Sequence, residues 1–301
     1  MESTHCSTRM NGRQPDQGIA THGCCRLCGE SRNSLVMSQG HYDYVRCSHC
    51  GLLFVRPFPG PDNLLSCYDD RGSRPVHPSD DPSGEAAVHR VRFTDELDRI
   101  EAHARRGRIL DIGCAWGFFL DRCKQRGWEV HGVEWSRVEA DYARQRFGVE
   151  VFAGPLGDAR FPDRHFDVVT LWHVFEHMHD PLAVLGEIRR ILKPDGVVVI
   201  AVPTPISAPE YVFDSVPLHL FYFDERTIRR ALRQKGFRII RIRKGGGTGG
   251  VALMKRAGIR DPKGMISRHV TLLWPLKKIL QHARSAVELH KEITVYAVPE
   301  C

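Results

Sequence analysis

Residues 108 to 117, RILDIGCAWG, leave this chain few ways to fold. A short apolar run ends in Asp111 and Gly113, and Gly117 follows four residues later. Phe118 to Arg126 then takes up an amphipathic helical pattern. Strand, glycine turn and helix make the first half of a βαβ unit, which needs parallel neighbours and helices over both faces. The downstream sequence supplies them. Trp128 to Val133 reads as a strand running into Glu134, and Ser136 with Glu139 forms an S-x-x-E capping box for the next helix. Phe166 to Trp172 reads as the fourth strand. Asp180 caps a helix with Pro181 at its first position and Leu182, Leu185, Ile188 and Leu192 on its apolar face. Val197 to Val202 is an apolar run suited to a strand buried on both faces. Asp224 caps a helix that Gly236 ends, Phe237 to Arg243 is a sixth strand, and Ile293 to Val298 a seventh, antiparallel one. The expected class is α/β, a Rossmann-like doubly wound sheet of seven strands.

The glycine spacing separates two kinds of ligand. A dinucleotide site has G-x-G-x-x-G, so that a pyrophosphate can sit at a helix N-terminus. Here the order is Asp111-x-Gly113-x-Ala115-x-Gly117, which places an acid where a pyrophosphate would be repelled. That acid suits a cationic ligand, and Glu134 at the tip of the second strand can accept hydrogen bonds from a ribose diol.

Four segments, RILDIGCAWG, EVHGVEWS, FDVVTLWHVFEHM and LKPDGVVVIAVP, stand in the order of a known family. Through them residues 108 to 244 resemble the class I S-adenosylmethionine-dependent methyltransferases. The resemblance implies methyl transfer, with Asp111, Gly113, Cys114 and Gly117 around the methionine part of the cofactor and Glu134 on its ribose. It puts Trp135, Pro155 and Leu156 beside adenine and Trp172 at the strand tip facing the cofactor. The sequence departs from the family pattern at Ala115, where glycine is common, and at Asp195, in a turn usually written P-G-G. Ala115 adds one methyl group, and Asp195 is an acceptable turn residue.

Ahead of this region stand Cys25-Arg-Leu-Cys28 and Cys47-Ser-His-Cys50, with 18 residues between the pairs. Two such turns brought together complete a tetrahedron of thiolates around Zn²⁺, and Gly29 and Gly51 allow the chain to bend tightly after each pair. His41 to Arg46 and Leu52 to Val55 read as short strands, making a zinc-ribbon-like module. Cys25, Cys28, Cys47 and Cys50 fill all four positions, so the zinc is expected to be structural; Cys24 and His49 are spare donors. Such a module before such a domain also resembles a subset of these enzymes associated with sugar and natural-product methylation.

An oxygen nucleophile has to lose a proton as it attacks, and histidine suits the task near neutral pH. The candidate bases are His219, in P-L-H-L-F-Y, and His173, in W-H-V-F-E-H-M-H. His173-x-x-Glu176-His177 also matches a zinc-protease motif. That motif needs a helix supplying both histidines, whereas this one leaves the tip of a buried strand. Glu176 and His177 are read instead as a hydrogen-bonded pair that orders the loop.

The expected organisation is a flexible leader over 1–22, a zinc module over 23–57, a linker over 58–84 and the cofactor domain over 85–301. Helix is expected from Glu85 to Arg105, a substrate lid from Pro203 to Pro217, and a basic, partly helical excursion from Lys255 to Lys291. The first residues carry no apolar signal core and no apolar run approaches about 20 residues, so a cytoplasmic protein without a membrane span is expected. The net charge of +7 is dispersed. An RNA methyltransferase that grips RNA through the zinc module is the alternative, disfavoured by the absence of an N/D-P-P-Y/F motif and of interleaved basic and aromatic residues. A non-catalytic cofactor-binding protein is a further one. The favoured acceptor is a small or carrier-linked compound: a sugar, a polyketide or aromatic hydroxyl, or a lipid-linked intermediate.

Overall fold

The structure, a computed structural model, describes residues 23–60, 85–204, 219–245 and 292–300. The leader, nearly all of the expected linker, the lid from residue 205 onward and the basic excursion lie outside the described residues.

The first described residues form an antiparallel meander of β1 (Asn33–Gln39), β2 (Tyr42–Cys47) and β3 (Leu53–Arg56). β1 was not foreseen. Its side chains are mostly exposed, Leu35 and Val36 among them, so its sequence shows little alternation. β3 is the opposite case, with Leu53, Phe54 and Val55 all buried. A strand so enclosed needs a partner on each edge for its backbone groups. β2 supplies one. The other comes from far along the chain, as β9 (Phe221–Tyr222), with Leu53 opposite Tyr222 and Phe54 opposite Phe221. The Val55 amide also donates to the Leu220 carbonyl at 3.0 Å.

The larger sheet has the order β10–β11–β8–β7–β4–β5–β6. Its strands are β4 (Arg108–Ile112), β5 (Glu129–Glu134), β6 (Glu150–Ala153), β7 (Phe166–Trp172), β8 (Leu192–Pro203), β10 (Phe237–Gly245) and β11 (Glu292–Pro299). The five from β4 to β8 run parallel, and β11 is antiparallel to both β8 and β10. The helices are α1 (Glu85–Glu101), α2 (Phe118–Gln125), α3 (Arg137–Phe147), α4 (Pro181–Ile191) and α5 (Glu225–Gln234). The seven-stranded α/β architecture is therefore as expected. No described helix is long and apolar enough to cross a membrane.

Three local expectations are revised. α1 stops at Glu101 rather than Arg105. Leu192 leaves α4 and opens β8 opposite Phe166; Pro194, two residues on, disfavours helix in the residue before it. The capping box at Ser136 is only half made. Ser136 Oγ accepts the Glu139 amide at 3.4 Å, but the Ser136 amide donates to Glu134 instead of to Glu139.

The principal core runs without a break from one sheet to the other. It contains Leu52, Phe54 and Val55 together with Phe221, Phe223, Phe175, Leu110, Val169 and Ile200. Phe58, at the end of the cysteine module, packs its ring 5.3 Å from both Phe221 and His179. The module is thus tied to the rest of the chain through pairing with β9, and to the large sheet through shared core. Phe221→Ala removes a fully buried ring from the seam and should cost about 3–5 kcal/mol. Urea denaturation of the native protein should show one transition; two separate transitions would show that the cysteine module folds independently.

Candidate functional site

The parallel strands end at one edge of the large sheet, and the polar groups of the sequence motifs gather there. Asp111, last but one in β4, is buried and its Oδ1 accepts from Thr170 Oγ1 on neighbouring β7 at 2.6 Å. Burial pushes its pKa up to about 8; the Thr170 hydrogen bond opposes the shift and the charge of Glu134 adds to it. Gly113 follows with φ 72° and donates its amide to Val133 at 2.7 Å. A Cβ on Gly113 would lie 2.4 Å from the Val174 side chain, so the turn after β4 and the loop after β7 touch here. Ala115 adopts φ 47°, a region in which glycine is at ease and L-residues are strained. That conformation aims its amide at Glu134 Oε2, 2.8 Å away.

Glu134 ends β5 and is anchored on both oxygens, since Ser136 N donates to Oε1 at 2.9 Å. Burial raises its pKa while these backbone donors oppose the rise. Glu139 on α3 is pushed up to about 7 by burial and by the charge of Glu134. Asp111, Glu134 and Glu139 thus form an acidic lining at this end of the sheet. Trp135 stands beside it, 45% exposed, an unusual state for so large an apolar ring. The Gly154 amide donates to the Glu134 carbonyl, which brings Pro155 and buried Leu156 next to the end of β5. Two other expected residues point elsewhere. The Cys114 thiol lies in the core with Leu120, Ala140 and Ala143, its pKa raised by burial. The Trp172 ring packs on Phe119 and Phe93, with centroids 5.3 and 6.4 Å away.

Directly past the Gly113–Val174 contact lies a cluster of imidazoles around Glu176. The Glu176 side chain has no solvent exposure, and neither of its oxygens accepts a hydrogen bond from a described residue. Three ring nitrogens approach its Oε1: His173 Nδ1 at 3.8 Å, His177 Nε2 at 3.9 Å and His219 Nε2 at 4.0 Å. These separations exceed hydrogen-bond length, so the expected bond between Glu176 and His177 is not made. Burial raises the Glu176 pKa, and the positive potential of His177 and His173 opposes that rise. His219 reaches the cluster because its neighbour Leu220 donates to the Glu176 carbonyl at 2.9 Å, just before β9 begins. Its ring lies 4.7 Å from that of His177 and 5.5 Å from that of Tyr222. The two candidate bases are thus brought to one carboxylate.

Sequence reading missed one member of this cluster, Glu292. It is the first residue of β11, buried, and its Oε2 lies 3.0 Å from His173 Nε2. Only the antiparallel insertion of β11 between β8 and β10 brings it to this edge, and no local motif marks it.

The four cysteines of the module converge as their spacing predicts. Cys25 Sγ is 3.5 Å from Cys50 Sγ, Cys28 Sγ is 3.5 Å from Cys47 Sγ, and all four sulfurs lie within 4.8 Å of one another. A tetrahedral zinc with bonds of about 2.3 Å separates its sulfurs by about 3.8 Å, so the set fits that ion. The close contact between Cys25 and Cys50 lowers the Cys50 thiol and raises that of Cys25, so the pair sheds its first proton at Cys50. Gly29 and Gly51 close the two turns with φ 75° and 80°. At Gly51 the Arg226 guanidinium occupies the place a Cβ would take.

An acidic lining thus stands at the carboxyl ends of β4 and β5, beside an exposed indole and a glycine turn. A family model described as a methyltransferase domain matches residues 87–242, just over half of the chain, and the chain belongs to that family. It is 28% identical over 141 residues to a protein of Mycolicibacterium smegmatis named as a probable S-adenosylmethionine-dependent methyltransferase. That match covers 46% of this chain and 55% of the relative. It is 30% identical over 156 residues to a ubiquinone biosynthesis O-methyltransferase of Neisseria meningitidis, covering 46% of this chain and 65% of the other. The chain therefore spans less than two thirds of the length of these relatives. A crystal structure of an S-adenosylmethionine-dependent methyltransferase from Archaeoglobus fulgidus superposes with a TM-score of 0.53 at 19% identity. That likeness of fold covers 71% of this chain and 94% of the other.

The turn can be tested by two opposite substitutions. Gly113→Ala forces a Cβ into Val174 at a positive φ and should cost about 1–3 kcal/mol. Ala115→Gly relieves φ 47° and should leave stability unchanged or raise it by up to about 1 kcal/mol. Thermal denaturation of both variants checks this; equal losses would show that backbone conformation does not govern the turn.

Proposed function

We propose that this protein transfers the methyl group of S-adenosylmethionine to a hydroxyl oxygen of a small or carrier-linked acceptor. One juxtaposition carries the reading: the acidic turn at Asp111–Glu134 meets the imidazole cluster around Glu176 through the Gly113–Val174 contact. The likeness to relatives named as O-methyltransferases supports oxygen as the atom methylated. When bound, the cofactor supplies an electrophilic methyl carbon on a sulfonium.

Glu134 is held by two backbone donors and keeps lone pairs for the two hydroxyls of a ribose. Asp111, and Ala115 with its neighbours, face the cationic amino-acid part, and Trp135 offers a flat apolar face to the adenine. Pro155 and Leu156 border the same end of β5. His173 and His219 stand where the acceptor hydroxyl would enter, and either imidazole can take its proton. The Glu176 carboxylate behind them favours the imidazolium that results, and its burial keeps water from screening that attraction. Held in line, the oxygen attacks with most of the entropic cost already met by binding.

The four cysteines are read as the site of a structural zinc. Because β3 pairs with β9, two residues beyond His219, the metal would steady that histidine as well as the module.

Two measurements test these readings. In the ligand-free protein Asp111, with a pKa of about 8, is largely protonated at pH 7, and a cationic ligand should displace that proton. Isothermal titration should therefore show S-adenosylmethionine binding with proton release, while NAD⁺ does not bind. The affinity should rise with pH by at most tenfold per unit between about pH 6 and 7.5, below the titration of the ligand's own amino group. Absence of binding, or binding with no linked proton, would count against the assignment. For the module, elemental analysis should find one zinc per chain and none in Cys28→Ser. Undiminished zinc in that variant would remove the four-cysteine assignment.

A further inference from the structure

α5 turns a cationic face outward beside the second cysteine turn. Its inner face is made of Thr227, Ile228, Ala231 and Leu232, all buried. Arg226, Arg230 and Arg233 stand on the opposite side, at the i, i+4 and i+7 positions that share one face of a helix. Arg226 and Arg233 are exposed, and Arg230 is half-buried. The Arg226 guanidinium lies over Gly51, and Arg230 Nη2 is 3.4 Å from Nε2 of the exposed His49. Lys235, which caps the helix, adds a further cation at its far end.

Nothing on this face offsets the charge. Among the described residues, none of Arg226, Arg230, Arg233 and Lys235 forms an ion pair, because the neighbouring carboxylates are engaged elsewhere. Asp224 caps the helix and accepts the Thr227 amide at 2.8 Å. Glu225 pairs with Arg229 at 2.7 Å and with Lys244 at 3.1 Å. Glu300 meets the end of α5 through its backbone, its amide donating to the Gly236 carbonyl at 2.8 Å. Like charges at this spacing weaken a helix, so the fold itself gives no reason for the stripe.

The stripe starts at the functional edge. Only β9 and the cap separate His219 from α5. β10 and β8 are both antiparallel to β11, so β10 begins at the opposite edge of the sheet. The ten residues of α5 therefore run from the functional edge to the other over about 15 Å. The form of the face also selects its partner. Arginine presents a planar fork that pairs with carboxylate or phosphate oxygens. A nucleic-acid strand would in addition need flat rings on which to stack its bases, and α5 contains no aromatic residue. Carboxylates at i, i+4 and i+7 of a second helix match the stripe in both spacing and sign.

We propose that the arginine face of α5, continued by His49, docks an acidic helix of a partner protein that carries the methyl acceptor to the functional edge. The docking stands on the charge of the face, while the partner's role as carrier rests on the methyltransferase reading above. A carrier has to bind while the cofactor is in place, so the two sites must be occupied together.

The probe is a fluorescein-labelled helical peptide with glutamate at i, i+4 and i+7, titrated with full-length protein and read by anisotropy. It should bind at low salt and at least about tenfold more weakly in about 0.3 M salt. The variant combining Arg226→Gln, Arg230→Gln and Arg233→Gln should lose at least about tenfold in affinity, and Arg146→Gln, which removes an exposed cation from α3, less than about twofold. Arg233→Glu, clear of the cysteine turn, serves as a second variant should the triple one fold poorly, with an expected loss of at least about threefold. Saturation with S-adenosylmethionine should leave the affinity for the peptide unchanged. Peptide binding that is absent, or that ignores both variants, overturns the docking surface. Tighter binding of a single-stranded RNA of about 12 nucleotides, lost in the triple variant, overturns it in favour of a nucleic-acid surface. Displacement of the peptide by S-adenosylmethionine overturns the carrier role. Failure of the protein to bind S-adenosylmethionine, read without peptide, overturns the methyltransferase reading and leaves the docking result to stand by itself.

Discussion

The central strands of the large sheet are enclosed on both faces, and that enclosure governs everything at the functional edge. β4, β7 and β8 have almost no solvent-facing side chains, so they tolerate polar groups only where the strands end. Asp111 and Thr170 are instructive exceptions. They sit one step inside the edge and satisfy each other at 2.6 Å. A buried carboxyl tolerates this position when it is protonated or when a cation lies beside it, which explains its raised pKa and supports the cationic cofactor proposed above. The same logic extends outward. Glu134 is held by backbone amides, and Glu176 is ringed by three imidazoles at 3.8 to 4.0 Å, beyond hydrogen-bond length.

Much of this was legible in the sequence because the relevant signals are local. The glycine turn, the acid at the tip of β5 and the two Cys-x-x-Cys pairs each occupy a few consecutive residues with a direct physical reading, and the structure brings each together as its spacing implies. The caps at Asp180 and Asp224 were legible for the same reason: each places a side-chain oxygen on an orphan amide three residues later. What escaped depends on pairing between distant segments. β9 is two residues long, too short to carry a periodic pattern, and exists because β3 has an edge to fill. Glu292 looks like an ordinary charged residue ahead of a strand until β11 enters the sheet antiparallel. A family resemblance likewise does not say which face a strand-tip ring takes: the Trp172 ring packs against Phe119 and Phe93.

The division into a cysteine module and a catalytic domain follows the sequence more closely than the physics. Composition changes sharply after Pro57, which invites a boundary there. The core does not respect it. Phe58 touches Phe221 on one side and His179 on the other, and Phe54 pairs in register with Phe221. The Arg226 and Arg230 guanidiniums of α5 lie over Gly51 and beside His49, so the second cysteine turn is also seated on a helix of the larger unit.

This arrangement gives the cysteine cluster a reason to stand where it does. The segment between Glu176 and β9 must present His219 to a buried carboxylate while its own backbone is satisfied. On one side that is achieved by the Leu220 amide donating to Glu176, and on the other by Val55 and the β3 ladder. β3 in turn begins three residues after Cys50, so the turn that would hold the metal fixes the start of the strand. A ring so placed keeps its aim only while that short ladder is intact. A ladder of two paired residues is too short to persist without support at its far end. The four cysteines converge at that end, and a metal held by them would give the ladder a rigid support.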